Sequence, residues 1–318
     1  MKKILFATTA LVATAGYASA DITVTGGANM GVKYVEDRAA GETFLYNELD
    51  FNIVGSGTTD SGIEFGASID LDASLTDESA SQDPGSFDPE AYVSSGGLTL
   101  TIGTLDGVSD PFGLPDIGFD GVGVDDVAED LMGGALGVKS GANVMVSYTF
   151  GDYNFAAAHD GDDNWGVSFD GSVNGFTFGI AYEEANDITF DSVTFFGTTF
   201  PTETIDVKST WLNLGYSFDA FTVGAFYVDM DIDMTEIGYF GDPDVDLGSS
   251  SEEGYGLSAS YTAGDLTVTG VWADSSTADD AAYGIDAAYD LGSGLVLKGG
   301  VASVNDGTNA DLGVIMSF

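Results

Sequence analysis

Acidic side chains dominate the residues of this sequence that could do chemistry, and the segment 106–141 is especially rich in them. Its candidate carboxylates are Asp110, Asp116, Asp120, Asp125, Asp126, Glu129 and Asp130. Lys139 is the only cation in this segment. Charged side chains of one sign select ions by their sign where a passage is narrow. The same composition is typical of a solvated acidic loop, so the residues alone leave both interpretations open.

A second acidic group has the spacing of a calcium-binding loop. Asp242, Asp244 and Asp246 are followed by Glu253 at the twelfth position, and carboxylates at such intervals bind Ca²⁺ in known motifs. Leu247 stands where that motif needs glycine, and no helical pattern flanks the segment. A metal site at these four carboxylates is therefore a hypothesis, with a solvated loop as its alternative.

Residues that enzymes use as nucleophiles or bases are scarce. The sequence has no cysteine, and its single histidine, His159, follows no serine nucleophile signature. A phosphate-binding Gly-Lys-Ser/Thr loop is also missing. We therefore expect a protein that is not an enzyme and that requires no cofactor, with Ca²⁺ at the acidic loops as the only candidate ligand.

The first residues have the pattern of a secretory signal peptide. Lys2 and Lys3 precede the apolar stretch 4–15, which is too short to span a bilayer. Ala18-Ser19-Ala20 then provides the small residues of a cleavage site. The sequence predicts a signal peptide at 1–20 and a single mature domain at 21–318.

The net charge is strongly negative. The whole chain has 7 Lys and Arg against 52 Asp and Glu, a net charge of −45, which becomes −47 once Lys2 and Lys3 are removed. Such a field repels nucleic acid and attracts cations. A hydrophobic content of 44% and an aromatic content of 12% argue against disorder, so we expect a folded chain.

The elements that must position these side chains are β-strands, because the hydrophobic pattern has a period of two. Between Ile63 and Leu71, apolar residues alternate with Glu64, Gly66, Ser68 and Asp70. Sixteen such segments follow one another: 22–34, 44–55, 62–73, 89–95, 97–105, 142–150, 153–159, 164–171, 175–184, 205–218, 221–231, 254–262, 265–273, 281–291, 294–304 and 309–318. The sequence therefore predicts an all-β fold.

Short and long connections alternate between these segments. Tight connections such as 151–152 and 219–220 carry the Gly and Asp residues that hairpin turns need. The long connections are 35–43, 74–88, 106–141, 185–204 and 232–253. Short turns at one rim and long loops at the other are typical of a transmembrane β-barrel.

The distribution of side chains favours a membrane barrel over a soluble one. Carboxylates lie on the polar face within strands, which suits a water-filled interior, and aromatic residues lie toward the strand ends on the apolar face. The predicted pore-wall residues are Lys33, Glu48, Asp50, Glu64, Asp70, Asp72, Lys139, Asp286 and Lys298. The predicted aromatic girdles include Phe44, Tyr148, Phe150, Phe176, Tyr182, Phe218 and Tyr255.

Three segments carry a resemblance to a known family. The strand from Leu312 to Phe318 resembles the last strand of Gram-negative outer-membrane proteins. Residues 21–34 are similar to the first strand of general porins of the alphaproteobacterial, Rhodobacter-like type, and residues 115–124 resemble that family's constriction loop.

The resemblance implies a fold, a location and partners. The fold would be a 16-stranded antiparallel transmembrane β-barrel in the outer membrane, with short periplasmic turns, long extracellular loops and the loop 106–141 folded into the lumen. It would be a homotrimer in contact with lipid and lipopolysaccharide, and it would let small hydrophilic solutes and cations diffuse. The barrel-assembly machinery would recognise Phe318 as an assembly signal.

The sequence departs from that family in its basic residues. The family sets its loop carboxylates against a cluster of arginines, whereas Arg38 is the only arginine here. A few lysines could take the place of the arginines, so the sequence leaves the family's transverse field open. The lumen-facing carboxylates and the negative net charge predict cation selectivity. The alternative functions are an acidic adhesin, a calcium-stabilised surface or secreted protein, and a membrane-barrel hydrolase, which would need a partner for His159.

Overall fold

The computed structural model describes most of the predicted mature domain: residues 21–76, 87–131, 142–161, 163–190, 194–195, 198–199, 203–236 and 245–318. The predicted signal peptide at 1–20 lies outside the described residues, and so does Lys139. Among the described residues, no helix is both long enough and apolar enough to cross a membrane.

β-Strands account for nearly all regular structure in the described part of the chain. They are β1 (Asp21–Val35), β2 (Thr43–Thr58), β3 (Glu64–Thr76), β4 (Phe87–Ser95), β5 (Leu98–Leu105), β6 (Ala142–Phe150), β7 (Tyr153–His159), β8 (Trp165–Val173), β9 (Phe176–Phe190), β10 (Thr194–Phe195), β11 (Thr198–Thr199), β12 (Glu203–Phe218), β13 (Phe221–Glu236), β14 (Val245–Ala263), β15 (Leu266–Ser275), β16 (Ala282–Gly292), β17 (Leu295–Val304) and β18 (Gly307–Ser317). One short helix, α1 (Asp126–Glu129), follows β5.

Sixteen of these strands close into a single antiparallel barrel, which confirms the predicted fold class and strand number. Each strand pairs with its neighbours in the chain, while β10 and β11 form a separate small sheet between β9 and β12. The barrel closes where β1 pairs with β18, from Gly27 opposite Ser317 to Val35 opposite Asn309. Closed pairing leaves no free sheet edge, as a membrane-spanning sheet requires.

The outward face of the barrel is apolar and the strand ends carry aromatic rings. Outward side chains such as Leu45, Leu214 and Leu312 are 73%, 59% and 60% exposed, which is expected of residues that face lipid. Near the short-turn rim, Phe176, Tyr216, Phe218, Phe221 and Tyr261 form a continuous row of ring contacts.

One residue assigned to the girdles from sequence lies on the other face. Phe44 is paired with Lys33 of β1, and Lys33 points into the lumen. The Arg38 guanidinium stands 4.0 Å from the centre of the Phe44 ring. Phe44 has the same parity as the inward residues Glu48 and Asp50, so the unbroken alternation of β2 places it on the lumen face, contrary to the prediction.

The strands β12 to β14 extend beyond the segments predicted from sequence. In β13, Phe221, Val223 and Tyr227 point outward, but the next residues in that row are Asp229, Asp231 and Asp233. The inward row continues with Val228, Met230 and Ile232, all buried. Beyond Tyr227, the outward face of β13 is therefore polar and its inward face is apolar. The lipid-facing apolar row by which a strand is recognised in the sequence ends at Tyr227, although the strand itself continues to Glu236.

Candidate functional site

The long segment after β5 lies inside the barrel, as predicted, and we call its described residues, 106–131, the lumen loop. Its first part crosses toward β9 and β12. Ser109 donates hydrogen bonds from its N–H and Oγ to the buried Glu183 carboxylate at 3.0 and 2.7 Å. The Asn213 side-chain amide donates to the Gly113 carbonyl at 2.9 Å. These two wall residues fix the loop at its entry side.

Apolar packing holds the rest of the lumen loop against the wall. Ile117, Val124 and Ala128 are fully buried and belong to one cluster with wall residues such as Trp211 and Val228. The wall residues of this cluster include Ala156, Ala158, Ala181, Trp211, Phe226, Val228, Val271, Ala273, Ala282 and Ala302. The loop therefore covers the inner wall from β7 to β17 and is part of the protein core.

Glycines on the inner wall give the loop room to approach the strands. A Cβ at Gly300 would lie 2.7 Å from the Gly118 nitrogen, and one at Gly313 would lie 2.7 Å from the Phe119 ring. The inward glycines in contact with the lumen loop are Gly31, Gly166, Gly179, Gly254, Gly256, Gly284, Gly300 and Gly313. Any larger side chain at these positions would push the loop away from the wall.

Two wall carboxylates hold the tip of the lumen loop. Asp311 of β18 is only 7% exposed, and its carboxylate accepts hydrogen bonds from the N–H groups of Phe119, Asp120 and Gly300 at 2.9, 3.3 and 3.0 Å. Asp286 of β16 accepts one from the Gly118 N–H at 3.2 Å. Backbone donors thus satisfy the Asp311 carboxylate, which would otherwise be costly to bury.

Two lysines predicted to line the pore also bind the loop. Lys33 Nζ donates to an Asp120 carboxylate oxygen at 2.6 Å and to the Asp120 carbonyl at 3.2 Å. Lys298 Nζ lies 3.1 Å from the Asp286 carboxylate and donates to the Asp116 carbonyl at 3.0 Å. Their position in the lumen is as predicted. Their charges, however, are compensated by partners 2.6 and 3.1 Å away.

Two loop carboxylates are withdrawn from solvent on the return arm of the loop, around α1: Asp125 is buried and Glu129 is half-buried. Burial raises the pKa of Asp125 to about 7, and the nearby Asp116 and Asp126 add to the shift because like charges disfavour ionisation. Burial also raises the pKa of Glu129 to about 8, although a hydrogen bond from the Leu114 N–H at 2.5 Å opposes the shift. These two carboxyls thus belong to the packing of the loop against the wall.

The remaining carboxylates predicted for the constriction are on the surface of the lumen loop. Asp110, Asp116, Asp126 and Asp130 are exposed. The set of seven therefore separates into three kinds: four exposed groups, Asp120 paired with Lys33, and the buried Asp125 with the half-buried Glu129.

The wall formed by β2 to β5 faces the open side of the lumen loop, and it is acidic. Glu48, Asp50 and Asp70 alternate with lipid-facing residues, as predicted, and point inward. Asp88 and Glu90 of β4 also point inward, because Phe87 and Val93 point to lipid. Glu64 is exposed at the short-turn end of β3, and only the backbone of Asp72, paired with Asp50, is described.

Four carboxylates that point into the lumen were not among the predicted site residues: Asp88, Glu90, Glu183 and Asp311. Pro89 interrupts the alternation in β4, and the consecutive pair Glu183 and Glu184 conceals which one is inward. Asp311 was detectable, because it alternates with the apolar row from Leu312 to Phe318.

The predicted calcium loop does not form a compact group in the described residues. Asp246 and Glu253 both belong to β14, in which seven residues span roughly 23 Å of extended chain. The Glu253 carboxylate instead accepts a hydrogen bond from the Tyr227 hydroxyl at 3.1 Å. Asp242 and Asp244 lie outside the described residues. Within the described part of the chain, no three His, Asp or Glu side chains are grouped as a metal site requires.

Comparisons with known proteins agree with this architecture. Residues 7–309 match the family model of Gram-negative porins. A porin of Fuscovulum blasticum is 27% identical over 315 residues, and the match covers 94% of this chain and 100% of that protein. A porin of Rhodobacter capsulatus is 27% identical over 333 residues with the same coverage. Solved structures of engineered variants of the Rh. blastica porin match with a TM-score of 0.67 at 22% identity, over 93% of this chain and 100% of theirs.

Proposed function

Since the chain belongs to the family of Gram-negative porins, we propose that it forms a water-filled, cation-selective channel for passive diffusion of small hydrophilic solutes and ions. An outer-membrane porin channel follows from the family and from the closed barrel. A barrel of 16 strands is wide enough to leave an aqueous passage beside the lumen loop. Diffusion of this kind requires no cofactor.

The observation that carries the proposed selectivity is the placement of the lysines in the lumen. Lys33 binds the loop carboxylate of Asp120 at 2.6 Å, and Lys298 binds the wall carboxylate of Asp286 at 3.1 Å. Four carboxylates of the lumen loop are exposed, and the inward faces of β2 to β4 carry further carboxylates. The passage is thus bordered by negative charge, which raises the local concentration of cations and lowers that of anions.

Reversal potentials in planar bilayers under a KCl gradient test this proposal. We expect the refolded protein to show a reversal potential of the sign that K⁺ permeation gives. Zero potential or preference for Cl⁻ would contradict it. The sign is diagnostic because it does not depend on the number of inserted channels.

We also propose that the channel is a trimer of identical chains, assembled through the sector β17, β18 and β1 to β5. Tyr and Trp mark the level where a barrel meets the lipid headgroups. Eleven point outward from β6 to β16: Tyr148, Tyr153, Trp165, Tyr182, Tyr216, Tyr227, Tyr255, Tyr261, Trp272, Tyr283 and Tyr289. Among the described residues, the other seven strands carry only Tyr34 on the outer face. This sector suits contact with protein better than contact with headgroups.

A pair of matched substitutions tests the trimer. Leu100 of β5 and Val223 of β13 are 42% and 41% exposed, and each lies two residues from the short-turn end of its strand. Leu100→Arg should abolish the trimer band in unheated gels, because it places a charge in the interface. Val223→Arg should retain it, since arginine near a bilayer surface costs only about 0–1 kcal/mol. Equal loss in both variants would contradict the proposed interface.

Export and assembly complete the proposal. We propose that residues 1–20 are removed on export and that the barrel-assembly machinery recognises Phe318, whose ring lies 5.6 Å from that of Phe51 on the outer face. In the outer membrane, the outward surface would contact lipid and lipopolysaccharide. The intact mass of protein extracted from outer membranes tests the cleavage, because it should correspond to a chain that begins at Asp21.

A further inference from the structure

We propose that the cation preference is set mainly by the wall carboxylates Asp70, Asp88 and Glu90 of β3 and β4, so that the lumen loop faces an acidic wall instead of a basic one. This inference rests on the proposed function and deepens it, because it names the residues that determine specificity. The permeant class would be small cations, inorganic or protonated amines.

These carboxylates lie at the height of the lumen loop. The loop tip is bound to Asp286 and Asp311, each six residues from the short-turn end of its strand. Asp70 also lies six residues from the short-turn end of β3, and Asp88 and Glu90 lie seven and five from that of β4. Equal distances from the same rim place these groups at a similar depth. The acidic wall therefore borders the passage where the loop narrows it.

Strand register brings two of the three carboxylates directly opposite each other. Asp70 is the antiparallel partner of Asp88, and Glu90 is paired with Ser68 in the adjacent inward position. Side chains paired in this way have Cβ atoms about 4.5–5.5 Å apart, and like charges directly opposite destabilise a sheet. Water and mobile cations relieve such repulsion, which makes this arrangement compatible with a passage that cations occupy.

The two sides of the passage differ in how their charges are compensated. On the side of the loop tip, Asp120 is paired with Lys33 and Asp286 with Lys298. On the opposite side, the described residues of β2, β3, β4 and β5 include no Lys or Arg. An ion in the passage therefore experiences an uncompensated negative potential mainly from β3 and β4.

Neutral variants of equal charge change test the inference. Asp70→Asn, Asp88→Asn and Glu90→Gln should be combined in one protein and compared with Asp229→Asn, Asp231→Asn and Asp233→Asn, which remove three carboxylates from the outer face of β13. We expect the K⁺ to Cl⁻ permeability ratio to fall by roughly sevenfold for each wall carboxylate removed, because the change raises the energy of K⁺ and lowers that of Cl⁻ by about RT each. One unit charge about 7 Å away in water changes the energy of an ion by about RT. The outer-face triple variant should keep the wild-type ratio.

The outcomes separate this inference from the proposed function. An unchanged ratio in the wall variant, or an equal fall in the outer-face variant, overturns the inference while a cation-selective wild type still supports the function. If the wild type shows no preference and the wall variant becomes anion-selective, the function as proposed fails and the role of the wall is supported. Asp88→Lys should shift the ratio further toward anions than Asp88→Asn. Equal ratios in these two variants would count against the inference.

Discussion

Lys33 and Lys298 show how much of a side chain's role depends on its partners. Alternation along β1 and β17 predicts that both point into the lumen, and both do. Their partners lie 87 and 182 residues away in the chain, on the lumen loop. No local pattern connects positions so far apart, so their role in holding the loop emerges only from the fold.

The carboxyls Asp125 and Glu129 predict a pH-dependent lumen loop. A carboxyl whose pKa is higher in the packed loop than in water stabilises the packed loop while protonated. That contribution is complete below the ordinary pKa of the group and is lost as the pH rises through about 7 for Asp125 and about 8 for Glu129. We expect open-channel current noise to rise between pH 6 and pH 9, because the charged groups loosen the loop.

The double variant Asp125→Asn with Glu129→Gln is the control for this pH effect. It retains the size of both side chains and removes their ionisation, so its current noise should be the same at both pH values. Wild-type noise that does not change with pH, or a pH effect that persists in the double variant, would contradict the assignment.

At the scale of elements, the strands can be predicted from the sequence more completely than the course of the lumen loop along the wall. All sixteen barrel strands follow from period-two alternation, yet the ends of β12, β13 and β14 were assigned to loops. The residues from Val228 to Met234 still alternate, but the apolar row there points inward, against the lumen loop. The inward glycines have no spacing along the chain that predicts a common role, and only the fold shows that the lumen loop lies against them.

The glycine contacts predict how the loop responds to one added methyl group. In Gly300→Ala, the new Cβ would lie 2.7 Å from the Gly118 nitrogen and 2.8 Å from Ile117, so the loop tip must move into the passage. Overpacking of this kind costs about 1–3 kcal/mol. We expect a lower single-channel conductance in 1 M KCl.

Gly27→Ala is the matched control for this substitution. Gly27 also faces the lumen from β1, but the nearest atom to its added Cβ would be the Met316 carbonyl oxygen at an ordinary 3.7 Å. Its conductance should equal that of the wild type. A normal conductance in Gly300→Ala would show that the loop tip is not seated as closely as described.

At the scale of the whole molecule, charge is the property most directly readable from sequence. The net charge of −45 does not reveal where the carboxylates lie, and the structure distributes them over the lumen, the outer rim and the loops. Only the carboxylates near the passage act on permeating ions, because salt screens charges that are more than about 10 Å away at 0.1 M.

Screening leads to a prediction for the intact channel. The Debye length falls from about 10 Å at 0.1 M salt to about 3 Å at 1 M. At a constant concentration ratio across the bilayer, we expect the reversal potential to move toward zero as the mean KCl concentration rises over this range. A potential that is independent of salt would indicate that ions are selected by direct coordination, contrary to a field from the acidic wall.

The pairing of β1 with β18 also imposes an order in time. Gly27 finds its partner Ser317 only after nearly the whole chain has been synthesised and exported, because 290 positions separate them. Until then the edge of β1 offers unpaired N–H and C=O groups to any extended segment nearby. Hairpins can form early, but the barrel cannot close piece by piece. The longer the chain, the longer the edge of β1 stays unpaired. During this time the strand must be kept from pairing with other extended chains.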